Sequence, residues 1–311
     1  MEINKYHNKR LLVVGGTGFI GQHVVKKALQ IGFNVTVLSK NNPRNLQIDK
    51  VKFINTDIGH KENLKDSLGN KVFDYVINLG GYIDHAHYSS GGKEVFDAHF
   101  NGVRNLVDCI DKQKIKGFIQ IGSSDEYGNN LAPQSENQKE SPNSPYSCAK
   151  VSSTYFLQML YRTENFPVVI LRPFNVYGPG QNDQRFIPQI IKGCLNDQMF
   201  PTSIGNQLRD FCFIDDFVLA VFSAINNKNA LGEIINIGTG NPISVKHVIK
   251  TVKDIVGSGQ PEFGSVPYRK GENMELYAEI SKSKRILQWT PKVTLDKGIK
   301  ITIKYFRNEV M

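Results

Sequence analysis

The sequence predicts an α/β protein: a doubly wound parallel sheet followed by a smaller, partly discontinuous α/β domain. Two observations predict the sheet. Six Val- and Ile-rich runs are continuous rather than alternating, as expected for strands buried on both faces, and they lie at 10–16, 34–39, 51–58, 74–81, 117–124 and 167–174. Helical patterns such as those at 94–113 and 146–165 lie between them. This alternation is typical of repeated βαβ units.

The regular alternation ends near residue 174, where Pro, Gly, Asn and Asp become frequent. One more strand-like run, at 233–240, is expected to return to the sheet. We therefore assign residues 1–174, with about 212–240, to the sheet domain. The smaller domain is expected to comprise residues 175–211 and 241–311.

The composition of the 311 residues excludes several classes of protein. An apolar content of 40% and a charged content of 22% are ordinary for a globular protein. The mean hydropathy of −0.31 and the short apolar runs argue against a membrane protein. The four cysteines are far apart and lack metal-ligand spacing, so we expect reduced thiols, no metal and, without an export signal, a cytoplasmic location. The net charge of +9 is scattered, which favours a phosphate-bearing small molecule over nucleic acid.

A glycine-rich turn, GGTGFIG (15–21), follows the first strand and opens a helix. Glycines at this spacing permit a tight turn and a close approach of backbone to a pyrophosphate, and the helix N-terminus favours negative charge. The order of strand, glycines and helix predicts a Rossmann-type site for NAD or NADP. The residues expected to bind the cofactor here are Gly15, Thr17, Gly18, Phe19, Ile20 and Gly21.

The end of the second strand bears on the choice of cofactor. An acidic residue there would bind the ribose hydroxyls of NAD, but this chain has Ser39 and Lys40, with Arg44 nearby. Residues 39–44 therefore favour NADP without deciding between the two cofactors. Asp57 and Ile58, which end the third strand, are expected beside the adenine.

Tyr146 and Lys150 form a Y-x-x-x-K pair. Ser144 and Pro145 just before them suit the N-cap and first position of a helix, on which the pair would share one face. A nearby ammonium and a cationic nicotinamide would lower the pKa of the phenol and make it a usable base.

These motifs resemble those of the extended short-chain dehydrogenase/reductases of the nucleotide-sugar epimerase/dehydratase family. The resemblance covers essentially the whole chain and includes GGTGFIG (15–21), DI (57–58), NLGG (78–81), Asn101 in a helix, GSSDEYG (122–128), YSCAK (146–150), LRPFNVYGPG (171–180), RDFCFIDD (209–216), NIGTG (236–240) and RKGE (269–272).

The resemblance implies roles for these residues. Tyr146 would deprotonate a sugar hydroxyl, and Lys150 would hold the nicotinamide ribose. Further cofactor contacts are implied for Leu79, Gly80, Gly81, Asn101 and Pro173. Contacts to the nucleotide sugar are implied for Tyr82, Asp84, His85, Ser123, Ser124, Asp125, Asn175 and Arg185, with Arg209 and Arg269 on its pyrophosphate.

Two alignments of GSSDEYG (122–128) with the family stay open. Without a gap, Ser123 takes the position of the catalytic hydroxyl, and Glu126 falls where the family has an apolar residue. With one deletion, Ser124, Asp125 and Glu126 would match the dehydratases, in which an Asp-Glu pair supplies acid and base. We favour the ungapped alignment, with Ser124 as the alternate hydroxyl, because a slip of one residue turns an extended side chain to the opposite face.

The predicted function is oxidation of the C4 hydroxyl of a nucleoside-diphosphate sugar, by a dehydrogenase or 4-epimerase of bacterial surface-polysaccharide biosynthesis. The motif set suggests GDP-manno-heptose as a specific substrate. One alternative is a 4,6-dehydratase that uses Asp125 and Glu126; another is a non-catalytic redox sensor, which would not need Ser123, Tyr146 and Lys150. We expect a homodimer through the helices at 94–113 and 146–165, and neither a nucleic-acid nor a membrane partner.

Overall fold

The computed structural model of the chain describes residues 6–41, 51–269 and 271–310. Its strands are, in chain order, β1 (Arg10–Val14), β2 (Asn34–Ser39), β3 (Lys52–Asn55), β4 (Tyr75–Asn78), β5 (Gly117–Ile121), β6 (Val168–Pro173), β7 (Asn175–Tyr177), β8 (Met199–Thr202), β9 (Leu208–Arg209), β10 (Phe211–Phe213), β11 (Ile234–Ile237), β12 (Ile243–Ser244), β13 (Gln260–Phe263) and β14 (Glu275–Leu276).

The α-helices are α1 (Phe19–Gln30), α2 (Lys61–Leu68), α3 (Gly92–Phe96), α4 (Gly102–Cys109), α5 (Pro145–Glu164), α6 (Phe186–Leu195), α7 (Ile214–Ala224), α8 (Val245–Val256), α9 (Ser281–Leu287) and α10 (Leu295–Val310). A π-helical segment, Asp97–Asn101, joins α3 to α4. Short 3₁₀ turns lie at Tyr88–Ser90, Ser124–Tyr127 and Lys228–Ala230. In the described residues, no helix is long and apolar enough to cross a bilayer.

Seven strands form the predicted parallel sheet, in the order β11-β6-β5-β4-β1-β2-β3. The α/β fold class and the return of a late strand, β11, are confirmed. Several strands end two to three residues before the predicted position, as β1 does at Val14 and β5 at Ile121. The residues beyond these ends are glycines and serines that leave the sheet and form loops at its carboxyl edge.

Both faces of the sheet are covered, which explains the continuous apolar runs. Along β1, Leu11 and Val13 pack into one hydrophobic cluster, while Leu12 and Val14 pack into the other. The first cluster includes residues of α1, α7 and α8, and the second includes residues of α2, α4 and α5. Because side chains alternate along a strand, a strand that is covered on both faces needs apolar residues throughout.

The smaller region is built from three short sheets. β7 pairs with β10, β8 pairs with β13, and β9 lies between β12 and β14. The β7–β10 pair begins directly after β6, so residues 175–177 and 211–213 stand beside the carboxyl edge of the large sheet. This position brings residues of the smaller region to the same crevice as the glycine-rich turn.

Candidate active site

The loops selected from the sequence leave one edge of the parallel sheet. β1 lies between β2 and β4, and the chain moves outward through β2 and β3 before it crosses to β4. This reversal makes a topological switch point, outside which open α/β sheets bind ligands. The loops after β1 and β4, at 15–18 and 79–81, border the crevice at this switch point.

The turn after β1 leaves no room for side chains at two glycines. A Cβ on Gly21 would lie 2.2 Å from the carbonyl oxygen of Gly15. A Cβ on Gly15, whose φ is +74°, would lie 2.9 Å from the carbonyl oxygen of Leu79. Helix α1 begins at Phe19, and Gly18 before it has no side chain that could cap the free N–H groups. These groups and the positive helix end suit a pyrophosphate, so the residues present fit a dinucleotide.

Two alanine variants separate the structural role of this turn from its binding role. We expect Gly21→Ala to lower the free energy of unfolding by about 1–3 kcal/mol, because the methyl group meets backbone. Gly18→Ala is the matched variant, since its Cβ would approach Gly15 no closer than 3.4 Å. It should unfold at the wild-type temperature but bind NAD more weakly in calorimetry. A Gly21→Ala protein as stable as wild type would contradict this account of the turn.

At the corner beyond β2, Asp57 lies beside Lys40, a contact that the sequence did not predict. The Nζ atom of Lys40 lies 3.2 Å from Oδ2 of Asp57. Burial pushes the pKa of Asp57 upward, but the Gly59 amide and Lys40 outweigh it and lower the pKa. The Ser39 hydroxyl lies 2.6 Å from that of Thr17, and this contact ties the end of β2 to the glycine-rich turn.

The argument for NADP is therefore weakened, because Lys40 is not an unopposed cation. Ile58 is buried beside this corner. Arg44, the other cation behind that prediction, lies outside the described residues.

The ends of β4 and β6 supply the other predicted cofactor residues. The carbonyl group of Leu79 faces Gly15, and the Gly80 N–H donates to Oδ1 of Asn78 at 3.0 Å. Pro173 is the last residue of β6. All three positions border the crevice.

Asn101 ends the π-helical segment. Its side-chain amide donates to Asp97 Oδ1 at 2.7 Å, and its side-chain oxygen accepts from Arg104 at 3.3 Å. The predicted cofactor residue is thus hydrogen-bonded within its own helix. A π segment adds one residue to a turn, and such segments are frequent at functional sites.

His99, in the same segment, is a residue that the sequence did not single out. Its Nε2 lies 2.7 Å from the carbonyl oxygen of Tyr82, and its ring packs edge-on against that of Tyr146 at 5.0 Å. Burial, together with Lys150, lowers the pKa of His99 to about 3, so the imidazole is neutral. Gly81 makes room for it, because a Cβ there would lie 2.1 Å from the ring.

Tyr146 and Lys150 lie in the first two turns of α5, as predicted. The Ser144 hydroxyl accepts from the Ser147 amide, and Pro145 is the first helical residue, which confirms the predicted cap. The Nζ atom of Lys150 donates to the carbonyl oxygen of Ile121 at 2.8 Å and lies 5.7 Å from the centre of the Tyr146 ring. The ammonium keeps two further N–H donors for a ligand.

The electrostatics of Tyr146 differ from the expectation. Burial and, after it, the charge of Asp125 raise the pKa of the phenol above its ordinary value. The Ser123 side chain and Arg185 oppose this increase only in part. The expected lowering of this pKa is therefore not found, and in the chain alone Tyr146 is a protonated phenol.

The stretch GSSDEYG leaves β5 with its side chains pointing in different directions. Ser123 caps the 3₁₀ turn at Ser124–Tyr127, and its side chain interacts with that of Tyr146. Ser124 is buried in that turn. Glu126 is fully buried, in an ion pair with Arg172 in which Oε2 lies 2.6 Å from Nη2. A carboxylate in this position faces the interior of the protein, away from the crevice.

Asp125, by contrast, lies in the crevice opposite His85. Its Oδ2 is 3.8 Å from Nε2 of His85, and the His85 ring stands edge-on to Tyr146 at 5.7 Å. Burial raises the pKa of Asp125, while His85 opposes the increase. Tyr82 and Asp84 lie on the same exposed loop, where Asp84 accepts the Ala86 amide at 2.9 Å.

The smaller region contributes the remaining predicted substrate residues. The side-chain nitrogen of Asn175 is buried without a hydrogen-bond partner among the residues that the structure describes. Arg209 is largely buried in an ion pair with Glu272, and its charge interacts with those of Asp125 and Arg269. Arg185 is exposed at the start of α6 and acts on Tyr146 electrostatically. Cations and an unpaired amide thus border the crevice beside Tyr146.

A sequence model of the NAD dependent epimerase/dehydratase family matches residues 11–238. The chain belongs to this family. It is 31% identical to a protein of Methanocaldococcus jannaschii with the provisional name UDP-glucose 4-epimerase, over 96% of this chain and 98% of that one. It is 28% identical to the human dTDP-D-glucose 4,6-dehydratase, over 96% of this chain and 90% of that one.

Solved structures of epimerases have the same fold. The UDP-glucose 4-epimerase of Thermotoga maritima, solved with UDP-glucose, superposes with a TM-score of 0.90 at 28% identity and covers 97% of this chain and 100% of that one. The UDP-glucuronic acid 4-epimerase of Bacillus cereus, solved with UDP-glucuronic acid and NAD, gives 0.85 at 29% identity, over 96% and 99%.

The epimerase/dehydratase family thus unites enzymes with different outcomes. These relatives carry the names of UDP- and dTDP-sugar enzymes, so they give no support to the expectation of GDP-manno-heptose. The B. cereus structure contains NAD, and NADP is not supported. Among the described residues, no three His, Cys, Asp or Glu side chains form a group that could hold a metal ion.

Proposed function

We propose that the chain is a 4-epimerase of a UDP-hexose that uses tightly held NAD and inverts the configuration at C4. The observation that carries the proposal is the convergence of Tyr146, Lys150 and Ser123 at the crevice beside the glycine-rich turn. The identity to UDP-sugar 4-epimerases supports C4 as the reacting carbon and UDP as the nucleotide.

The chain's own groups would handle the proton of the C4 hydroxyl. Tyr146 would first have to release its own proton, which the positive charge of bound NAD together with Lys150 would favour by lowering the pKa of the phenol. The phenolate would then accept the C4 proton during oxidation and return it afterwards, with Ser123 beside it to bind the same sugar oxygen. Lys150, fixed by the Ile121 carbonyl group, would hold its charge near the phenol. Arg209 and Arg269 would bind the pyrophosphate of the sugar nucleotide, because guanidinium groups match phosphate oxygens.

The cofactor would lie along the crevice, held by the turn at 15–21, the Lys40–Asp57 corner, the loop at 79–81 and Lys150. NAD, when bound, supplies the acceptor for the hydrogen of the sugar carbon.

Lys40→Ala tests the choice of cofactor. We expect the variant to prefer NAD over NADP at least as strongly as wild type does, because Asp57 then lacks the Lys40 ammonium that pairs with it.

The placement of Glu126 favours an epimerase over a dehydratase. A 4,6-dehydratase needs a base for the C5 proton and an acid for the C6 hydroxyl. Glu126 is not placed for either role, because it is buried in an ion pair with Arg172. One observation supports dehydration as the second candidate. Asp125 and His85 face each other beside Tyr146, and such a pair could remove the C5 proton of a 4-keto sugar and give a proton to the C6 hydroxyl as it leaves as water.

Product analysis distinguishes these outcomes. The purified chain is incubated with NAD and with UDP-, dTDP-, GDP- and CDP-hexoses, and the products are analysed by mass spectrometry and sugar chromatography. We expect an isomer of unchanged mass from a UDP-hexose. A product lighter by one water would overturn the proposal in favour of the dehydratase. Binding of NAD without any binding of nucleotide sugar in calorimetry would favour the redox sensor.

The pH dependence of turnover tests the role of Lys150. Burial lowers the pKa of Lys150 to about 8, although Glu126 and Asp125 oppose the shift. The ammonium form is the active one in our proposal, so kcat/KM should fall as the pH rises through about 8. A profile that stays flat up to pH 10 would contradict this role. Lys150→Arg keeps its charge over this range, so it should lack the alkaline limb of the profile, which is the fall in kcat/KM above about pH 8.

The same group affects stability in a defined direction. The pKa of Lys150 is lower in the folded chain than the ordinary 10.5, so between about pH 8 and 10.5 the unfolded chain binds more protons. The contribution of Lys150 to the free energy of unfolding therefore rises with pH in that window.

We further propose a homodimer formed through α5 and the helix that runs from Gly92 to Cys109. Tyr155 and Met159 on α5 are exposed apolar side chains, 50% and 39% accessible. A dimer would cover them. Light scattering of the purified chain should give twice the mass of one chain, and Met159→Glu should lower it.

A further inference from the structure

Glu126 makes contacts that join two catalytic elements. Its Oε1 accepts the backbone N–H of Ser123 at 2.9 Å, and its Oε2 accepts the hydroxyl of Thr154 at 2.9 Å. The same Oε2 lies 2.6 Å from Nη2 of Arg172. All of these partners are buried, so each contact is shielded from water.

Thr154 lies on α5, the helix that also carries Tyr146 and Lys150. Tyr146, Lys150 and Thr154 are spaced four residues apart on α5, and residues at this spacing lie in one row along a helix. The Glu126 carboxylate therefore connects the loop that carries Ser123 to the same row of α5 that carries Tyr146 and Lys150.

We propose that Glu126 is a positioning residue, which fixes Ser123 relative to Tyr146 and Lys150. This inference rests on the proposed function for the roles of those three groups. Glu126 itself does not reach the crevice and does not act on substrate. A side chain without oxygen atoms at this position could hold neither the Ser123 amide nor the Thr154 hydroxyl.

The charge of Glu126 has a second effect. The carboxylate opposes the burial that lowers the pKa of Lys150. Its removal should therefore move the alkaline limb of the pH profile to lower pH. A purely structural residue would not shift this limb.

The chain offers a matched control for Glu126. Glu140 is the other carboxylate on Arg172, with Oε1 2.6 Å from the same Nη2 atom. Its second oxygen accepts the Tyr155 hydroxyl at 2.6 Å, away from the crevice. Glu126→Gln and Glu140→Gln therefore each remove one charge from the same guanidinium, but only the first alters contacts to Ser123 and Thr154.

The experiment compares the two variants with wild type on the UDP-hexose that wild type converts. We expect Glu126→Gln to lower kcat by about 10- to 100-fold, the order of loss that follows small misplacements of catalytic groups, with a KM within about twofold of wild type. Its alkaline limb should shift to lower pH. Glu140→Gln should keep the kcat and the pH profile of wild type.

Two outcomes overturn the proposal: a wild-type kcat and pH profile in Glu126→Gln, or equal losses of kcat in both variants. If Glu126→Gln does not fold, Thr154→Val removes one of the two links and should show a smaller loss of kcat.

Failure of the proposed function is recognised separately, because wild type would then convert none of the nucleotide sugars. Nuclear magnetic resonance titration of Lys150 in the full chain decides in that case. A lower pKa of Lys150 in Glu126→Gln but not in Glu140→Gln supports the connection, and equal values overturn it.

Discussion

Replacement of Tyr146 by Phe should lower kcat by about 10²- to 10⁴-fold, the range for loss of a general acid–base group. The phenol is buried beside Ser123 and is the only group that we place on the C4 proton. Phe keeps the ring that packs against His99, so the free energy of unfolding should change little. Kinetics on the converted UDP-hexose and thermal unfolding measure the two effects.

Tyr155→Phe is the control for this variant. Tyr155 lies on the same helix, but its hydroxyl donates to Glu140 outside the crevice. We expect its kcat to stay within about twofold of wild type. Full activity in a folded Tyr146→Phe protein would refute the catalytic assignment.

Replacement of Arg172 by Met should have the largest effect on stability. Arg172 is fully buried between Glu126 and Glu140, both of which it pairs at 2.6 Å. Its loss leaves two carboxylates without a cation in the interior, and breaking a buried pair in this way costs about 3–5 kcal/mol. Chemical denaturation measures this loss. The variant should regain stability as the pH falls, because the pKa of an unpaired buried carboxyl group is higher in the folded chain than in the unfolded chain.

Arg10→Met is the counterpart at the surface. There one carboxylate, Asp74, is shared by two cations, Arg10 and Lys116, whose side chains are about half exposed. Exposed pairs contribute at most about 1 kcal/mol, and Lys116 remains in the variant. Similar losses from Arg10→Met and Arg172→Met would show that the buried ion-pair cluster is no special source of stability.

The sequence predicted those parts of the site that depend on local spacing. The glycine turn before α1, the cap at Ser144 and the pair Tyr146–Lys150 each lie within a few residues, so their geometry follows from the helix that they open. The strands were recognised because burial on both faces requires unbroken apolar runs.

The features that the sequence did not reveal depend on distant partners or on local irregularity. Glu126 pairs with Arg172, which lies 46 residues further along the chain, so local spacing could not show that its carboxylate points inward. Asp57 meets Lys40 across two strand ends. His99 reaches Tyr146 from a π segment, and one extra residue in a turn leaves no mark in a 3.6-residue periodicity.

The guanidinium shared by two carboxylates also fixes an order in which this interior can evolve by single substitutions. An ancestor with Arg172 and Glu140 already contains a complete pair, so Glu126 can arrive later without an unpaired intermediate. The reverse order, with Glu126 and Glu140 before Arg172, would pass through a chain with uncompensated buried charge. We therefore expect reconstructed ancestors of this lineage to contain Arg172 before residues 126 and 140 are both acidic.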